Sequence, residues 1–351
     1  MSQKRRRLNE DYFIEIKEPP FPELLYHKKN KIKKEEVIID QKIETIDDLL
    51  DIIKKYKPHR GKIYNFNIHL LHKLKNILIE LNNIIGVKNV KKKIVEIIIY
   101  YLQDLEENFK NKMHTVIIGP PGSGKTMISK ILAKIYYKLG IIEFDKFVCA
   151  KRPDLIGKYL GQTSHRTQHM IDRAMGGVLF IDEVYQLGNA EGRDSFSKEC
   201  IDTINQNLTE RQGEFICIIA GYKDSVEKCF FSYNPGLHSR FTMRINMDEY
   251  EAGDLIKIYE KNCRDEGWRI GEKLDEEFFM KNKKYFKYSG RDMETLFENT
   301  KIVHSKRVFS LPKSEKKKIM MIDVKNAYDL FISNSSYAEE IKNQTLPMMY
   351  L

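Results

Sequence analysis

The spacing of apolar residues changes character twice along the chain. In the first stretch it is helical. Ile46, Leu49, Leu50 and Ile53 share one face of a short helix, and Thr45-Ile46-Asp47-Asp48 just ahead has the form of a capping box. A second helix runs from about Ile68 to Leu81, with Leu71, Leu74 and Leu78 on one side. The compact turn Ile84-Ile85-Gly86-Val87 then leads into a long amphipathic helix reaching about Asn108. From there short apolar runs alternate with helical stretches. The runs lie near 114–118, 145–150, 177–182, 215–220 and 240–246, and their alternation with helices predicts an α/β domain with a parallel sheet. After Asp248 the strand signals fade, and helices near 250–266, 274–284, 290–307 and 322–333 predict a smaller helical domain.

The flanks differ from this body. Residues 1–44 open with Lys4-Arg5-Arg6-Arg7 and continue through Pro19, Pro20 and Pro22 into a Lys/Glu-rich stretch, which reads as a flexible basic arm. The expected division is this arm, a helical region over 45–80, an α/β domain over 81–248, a helical domain over 249–335 and a loose tail over 336–351.

Composition narrows the class. The chain has 351 residues, 42% of them hydrophobic and 31% charged, enough for a sizeable core in a soluble protein. No apolar stretch reaches membrane-spanning length and the N-terminus has no apolar signal core, so an intracellular, cytoplasmic protein with no membrane partner is expected. The basic run Lys4–Arg7 leaves a nuclear address open. The five cysteines are scattered without close pairs, which predicts free thiols. The net charge is +10, but Lys, Ile, Asn and Tyr are abundant and Ala is scarce. An A+T-rich genome imposes that composition, so the charge argues only weakly for an acidic partner. His165 and His169 stand four apart, yet no Asp, Cys or third His completes a metal site with them.

Two runs carry chemistry. Gly119-Pro120-Pro121-Gly122-Ser123-Gly124-Lys125-Thr126 matches the phosphate-loop pattern G-x-x-x-x-G-K-[ST] in full. It follows the strand-like Val116-Ile117-Ile118 and precedes the helix-like stretch Met127 to Tyr137. Glycines there let backbone N–H groups turn inward, and those donors with the helix N-terminus hold phosphates. Lys125 is expected to reach the β- and γ-phosphates, and the Thr126 hydroxyl to ligate Mg²⁺. Downstream, Val178-Leu179-Phe180-Ile181 reads as a buried strand ending in Asp182-Glu183. Asp182 is placed to orient Mg²⁺, and Glu183 to polarise the attacking water. The two runs together predict an ATPase using ATP and Mg²⁺.

With these runs in place, the chain resembles the AAA+ ATPases, and within them the CbbX/SpoVK-like (CfxQ-type) group. The resemblance covers residues 80 to about 335. It rests on P-D-L-I-G-K-Y-L-G-Q-T (153–163), A-M-G-G-V-L-F-I-D-E-V-Y-Q-L (174–187), I-I-A-G-Y-K-D (218–224) and N-P-G-L-H-S-R-F (234–241), in the family's order. It implies a parallel five-stranded sheet of order 5-1-4-3-2 with a C-terminal helical lid. It also implies ATP bound between subunits of a homo-hexamer. By the same resemblance Ile85 and Gly86 would lie against adenine, though an ordinary turn at the start of a helix accounts for them equally. Tyr159 and Leu160 would form an aromatic pore loop, Arg240 would act as an arginine finger from a neighbouring subunit, and Arg291 would sense the γ-phosphate. The strand ending Ala220-Gly221-Tyr222-Lys223 departs from the wider family, which carries Asn, Ser or Thr there, and leaves the first sensor only weakly assigned to Tyr222.

The expected function is therefore remodelling of a protein substrate, driven by ATP hydrolysis in a ring. A nucleic-acid-dependent loader or initiator is the alternative. The basic N-terminal arm favours it, Lys158 and Arg193 keep it open as basic side chains that could project into the pore, and the aromatic pore run disfavours it.

Overall fold

Strands β3 (Thr115–Ile118), β4 (Phe147–Ala150), β5 (Val178–Ile181), β6 (Ile216–Gly221) and β7 (Met243–Asn246) build the central sheet, preceded in the chain by β1 (Glu35–Val37) and β2 (Lys62–Tyr64). The computed structural model of the chain describes residues 35–105, 113–159, 161–188 and 194–334. The basic run Lys4–Arg7, Leu160, Arg193 and the tail over 336–351 lie outside the described residues.

The five strands of the central sheet stand in the order β4-β5-β6-β3-β7, and every pair is parallel. Counted among themselves and read from β7, they run 5-1-4-3-2, as the family resemblance implies. β3 is the pivot: Ile117 lies opposite Ala220 on one side and Ile245 on the other. β3, β5 and β6 are buried along their whole length. A central strand of a parallel sheet is covered on both faces, which is why these segments read as unbroken apolar runs.

Their side chains still alternate between the two faces. Ile117, Val178, Phe180, Ile216, Ile218, Ala220 and Ile245 enter one core with helix Lys125–Lys138 and helix Lys88–Leu102. Val116, Ile118, Leu179, Ile181, Cys217 and Ile219 enter a second core with helices Thr163–Ala174 and Ser195–Glu210. The C-terminal helices Ala252–Asp265, Glu276–Asn282, Gly290–Arg307 and Met321–Ser333 enclose a third core, which includes Tyr259, Phe279, Phe297 and Val324.

The N-terminal region shares a core with the sheet. Thr45 and Asp48 close the expected capping box on helix Ile46–Lys55. The expected single helix over 68–81 is two, Ile68–Lys73 and Lys75–Asn82, parted at Leu74. Their buried faces (Leu49, Leu71, Leu78) join the first core, and Lys134 on the phosphate-loop helix pairs with Glu80 at 2.8 Å. Two parallel strand pairs arise where no strand was expected. β1 pairs with β2, and β8 (Arg269–Ile270) pairs with β9 (Lys318–Ile319) in the C-terminal part. Pieces of two or three residues are too short to show a period, so the sequence pattern is silent about them.

His114, at the foot of β3, is 3% exposed. Its Nδ1 accepts the Cys217 N–H at 3.0 Å, so the ring is neutral. Burial first, and then the Arg240 charge, push its pKa down from 6.5 to about 4. Protonation therefore favours the unfolded chain. Stability is full above pH 6.5 and falls as the pH drops towards 4, by on the order of 3 kcal/mol for this group. Urea unfolding at stepped pH measures the slope. His114→Asn, which keeps an acceptor for Cys217, is expected to flatten it.

Candidate functional site: a nucleotide cleft between sheet and helical domain

A cleft of about 490 Å³ opens at the C-terminal ends of β3, β5 and β6. This is where an open α/β sheet offers its ligand site. One wall is the loop after β3 and the start of helix Lys125–Lys138, with Pro121, Gly122, Gly124, Lys125, Thr126 and Met127 in the lining. The opposite wall comes from the helical domain, with Ile258, Asn262, Gly290 and Arg291.

The loop's shape depends on its glycines. Gly122 has φ 72° and Gly124 φ 89°, conformations that L side chains rarely adopt. A Cβ on Gly122 would also collide with the Tyr288 carbonyl oxygen, so only glycine lets the helical domain close this far onto the loop. Ser123 donates to the Pro120 carbonyl at 2.8 Å, and the Tyr250 hydroxyl donates to the Ser123 carbonyl at 3.3 Å. Gly119 and Pro120 supply the carbonyls that accept from Lys125 Nζ, at 3.0 and 2.8 Å. Gly119, Pro120 and Ser123 thus shape the loop from behind rather than line the cleft.

Lys125 is the site's buried cation. Burial lowers its pKa, while Asp182 and Glu183 raise it and Arg291 lowers it further. A half-buried ammonium facing carboxylates and a second cation is arranged to receive a polyanion. The Tyr222 ring lies 5.1 Å from Lys125 Nζ and stacks on Tyr185 at 5.1 Å, and both tyrosines line the cleft.

The D-E pair follows β5 directly. Thr126 Oγ1 donates to Asp182 Oδ2 at 3.0 Å, so the two expected Mg²⁺ ligands, fifty-six positions apart, meet. A hydroxyl and a carboxylate in contact beside a phosphate loop fit a hard divalent cation. Glu183 sits in the left-handed region at φ 50°, an uncommon state for a non-glycine residue and one that clusters at functional sites. Its N–H donates to Asp182 Oδ1 at 3.0 Å, and its exposed carboxylate faces the cleft.

Arg291 enters the cleft from the first turn of helix Gly290–Arg307. The turn before it is held by Asp292, whose Oδ2 accepts the Tyr288 N–H at 2.6 Å. Burial pushes the Asp292 carboxyl above its usual range. Ile85 lines the cleft with Ile84. Gly86 turns at φ 69° behind them, where a Cβ would meet the Tyr250 ring at 2.9 Å.

Two expected site residues lie elsewhere. Arg240 ends helix Gly236–Arg240 and is not among the cleft's lining residues. Its Nε donates to Thr209 Oγ1 at 2.8 Å and its Nη1 to the Gly236 carbonyl at 2.7 Å. Tyr159 is 70% exposed on the loop between β4 and helix Thr163–Ala174. Its partner Leu160 is outside the described residues. Sequence reasoning missed Tyr185, Tyr250, Ile258 and Asn262. Tyr250, Ile258 and Asn262 stand just before or within the helical pattern of 252–265, which reads as core or surface until that helix is folded over the site, and Tyr185 carries no motif of its own.

The comparisons agree with this geometry. The model of the family described as ATPase family associated with various cellular activities (AAA) matches residues 115–249. A cfxQ-like protein of Acanthamoeba polyphaga mimivirus is 41% identical over 311 residues, covering 87% of this chain and 76% of the relative. Stage V sporulation protein K of Bacillus subtilis is 33% identical over 58% of the chain and 64% of its own length. The chloroplastic ribulose bisphosphate carboxylase/oxygenase activase of Cyanidioschyzon merolae is 28% identical over 69% of the chain and 85% of its own length. No described helix is long and apolar enough to cross a membrane. With a phosphate loop, a D-E strand and a 5-1-4-3-2 sheet assembled around one cleft, and a relative of this identity and coverage, the chain belongs to the AAA+ ATPases, in their CbbX/CfxQ-like group, and is an ATP hydrolase.

Proposed function

We propose that the chain is a ring-forming motor that remodels a polypeptide. The observation that carries the proposal is Tyr159: a large aromatic ring, 70% exposed, on a loop with Gly157 and Gly161 beside it. An exposed ring on a short loop can press on a peptide of any sequence, whereas a ring placed for stability would be buried. The description of the matching family, ATPase family associated with various cellular activities, supports an ATP-driven role without specifying this chain's substrate.

In this reading ATP lies in the cleft, its phosphates on the loop amides and Lys125 and its base against Ile85, Gly86 and Ile258. Thr126 and Asp182 would hold Mg²⁺, which when bound neutralises charge on the β- and γ-phosphates. Glu183 orients and deprotonates the attacking water. Arg291 contacts the γ-phosphate from the lid, so that residues 249–335 follow the nucleotide state. Arg240 completes a neighbouring subunit's site in a homo-hexamer, because it lies away from its own cleft.

Lys158 is exposed next to Tyr159 and favours a second reading, a nucleic-acid-dependent ATPase. Phosphate release in the presence of unfolded β-casein, single-stranded DNA or duplex DNA separates the two. Remodelling predicts stimulation by casein and its loss in Tyr159→Ala. Stimulation by DNA alone, with Tyr159→Ala silent and Lys158→Ala lowering the salt dependence, would transfer the assignment to the loader reading.

A further inference from the structure

Helix Ala252–Asp265 has two occupied faces. Leu255, Tyr259 and Cys263 are buried in the third core. Ile258, Asn262 and Asp265, spaced four and three apart, line the nucleotide cleft. Nothing in the fold requires Asn262 to be polar. Its amide nitrogen is shielded from water and has no hydrogen-bond acceptor among the described residues, Asp265 one turn on included. His114 Nε2 and Asn205 Oδ1 are also buried without partners, but neither residue lines this cleft. Asparagine is a poor helix former, and a buried N–H left unbonded costs stability that an apolar side chain of the same shape avoids. The position therefore carries a cost to the fold that a ligand in the cleft can offset.

We propose that Asn262 is a specificity-determining residue that reads the edge of the nucleotide's base. Its Oδ1 accepts from the 6-amino group of adenine, and its Nδ2 donates to the adjacent ring nitrogen. The proposal rests on the reading that puts the base against Ile85, Gly86 and Ile258. Ile84, Ile85 and Ile258 give the lining apolar surface for the flat of a ring, and Asn262, one turn from Ile258, gives it an unpaired amide for the ring's edge. Apolar sites fix a ligand's orientation with a few such groups. Adenine places a donor amine beside an acceptor ring nitrogen, and the amide of asparagine offers the reverse pair in one plane. The last torsion of an asparagine is soft, so the amide can turn from its shielded resting place to the base without moving the helix. The bonds it makes there replace none in the fold. Contacts to the phosphates, by contrast, cannot tell one nucleotide base from another.

The test is calorimetric titration of the full chain with three nucleotides that are not hydrolysed during the measurement: ADP, purine riboside diphosphate, which lacks only the 6-amino group, and 2′-deoxy-ADP. The parent is expected to bind ADP about tenfold more tightly than purine riboside diphosphate, the scale of one hydrogen bond between uncharged groups. Asn262→Leu, close in shape but without the amide, is expected to bind ADP at least about tenfold more weakly, and its preference for the 6-amino group to fall towards onefold. The effect of the 2′-hydroxyl should be the same in both proteins. A 6-amino preference that is absent from the parent, or that persists in Asn262→Leu, overturns the proposal. Loss of 2′-hydroxyl discrimination in its place puts the amide on the ribose and overturns it too. The urea midpoint of nucleotide-free Asn262→Leu should be at or above the parent's, because the unbonded amide is gone. A lower midpoint makes the amide part of the fold's packing and overturns its role as a reader. Ile85→Asp separates this from the underlying reading. Parental ADP affinity in Ile85→Asp sinks the placement of the base, and the proposal with it. Weak binding in Ile85→Asp beside parental binding in Asn262→Leu sinks the role of Asn262 alone.

Discussion

Glu183→Gln is expected to bind ATP with parental affinity and to hydrolyse it at least about a hundredfold more slowly, while Lys125→Ala is expected to lose nucleotide binding itself. The two side chains stand close enough for their charges to interact, yet their tasks divide cleanly. Lys125 is half-buried among loop carbonyls, where in the proposed reading it would meet phosphate charge in the ground state as well as the transition state. Removing it leaves a polyanion without its main counter-charge in a partly desolvated site. Glu183 is exposed at the cleft edge and touches no part of the phosphate loop among its hydrogen bonds, so its removal leaves the binding surface whole. Titration calorimetry with ATP, alongside a phosphate-release assay, checks both halves. Glu183→Gln turning over at the parental rate would falsify the assignment of the base.

Arg240→Ala is expected to cost roughly 10³ in kcat in the assembled protein, the scale seen when a guanidinium is withdrawn from a developing phosphoryl charge. The expected effect is large because Arg240 contributes nothing to its own cleft. In the described structure it is tied to Thr209, in the last turn of helix Ser195–Glu210, and to the Gly236 carbonyl. Complementation measures this directly. Inactive Arg240→Ala subunits mixed with inactive Lys125→Ala subunits should recover activity, since some interfaces then join an intact loop to an intact finger. Mass photometry of Glu183→Gln with ATP should show a closed oligomer. A monomer that hydrolyses ATP efficiently, or mixtures that never recover, would remove both the finger and the ring.

The chemistry of this protein was legible in its residues because it sits in contiguous runs. A phosphate loop needs glycines, a lysine and a hydroxyl at set positions within eight residues, and β5 needs an apolar run that stops at Asp182. The sheet was legible for a related reason. Its inner strands are covered on both faces, so Val178 to Ile181 and Ile216 to Gly221 stay apolar throughout and stand out from the helices between them. The order of the strands was not in that pattern; it came from the family resemblance, and the pairings bear it out.

Tertiary structure decided what depends on distant segments meeting. Nothing local marks Asn262, Ile258 or Tyr250 as cleft residues, since they reach it only when helix Ala252–Asp265 folds across the loop. The close approach of the Tyr288 carbonyl to Gly122 joins a loop of the sheet domain to the helical domain far along the chain, and it adds to the positive φ a second reason for glycine that no local pattern displays. The merging of the N-terminal helices with the sheet's core was equally hidden, because an apolar helix face records that it is buried but not against what.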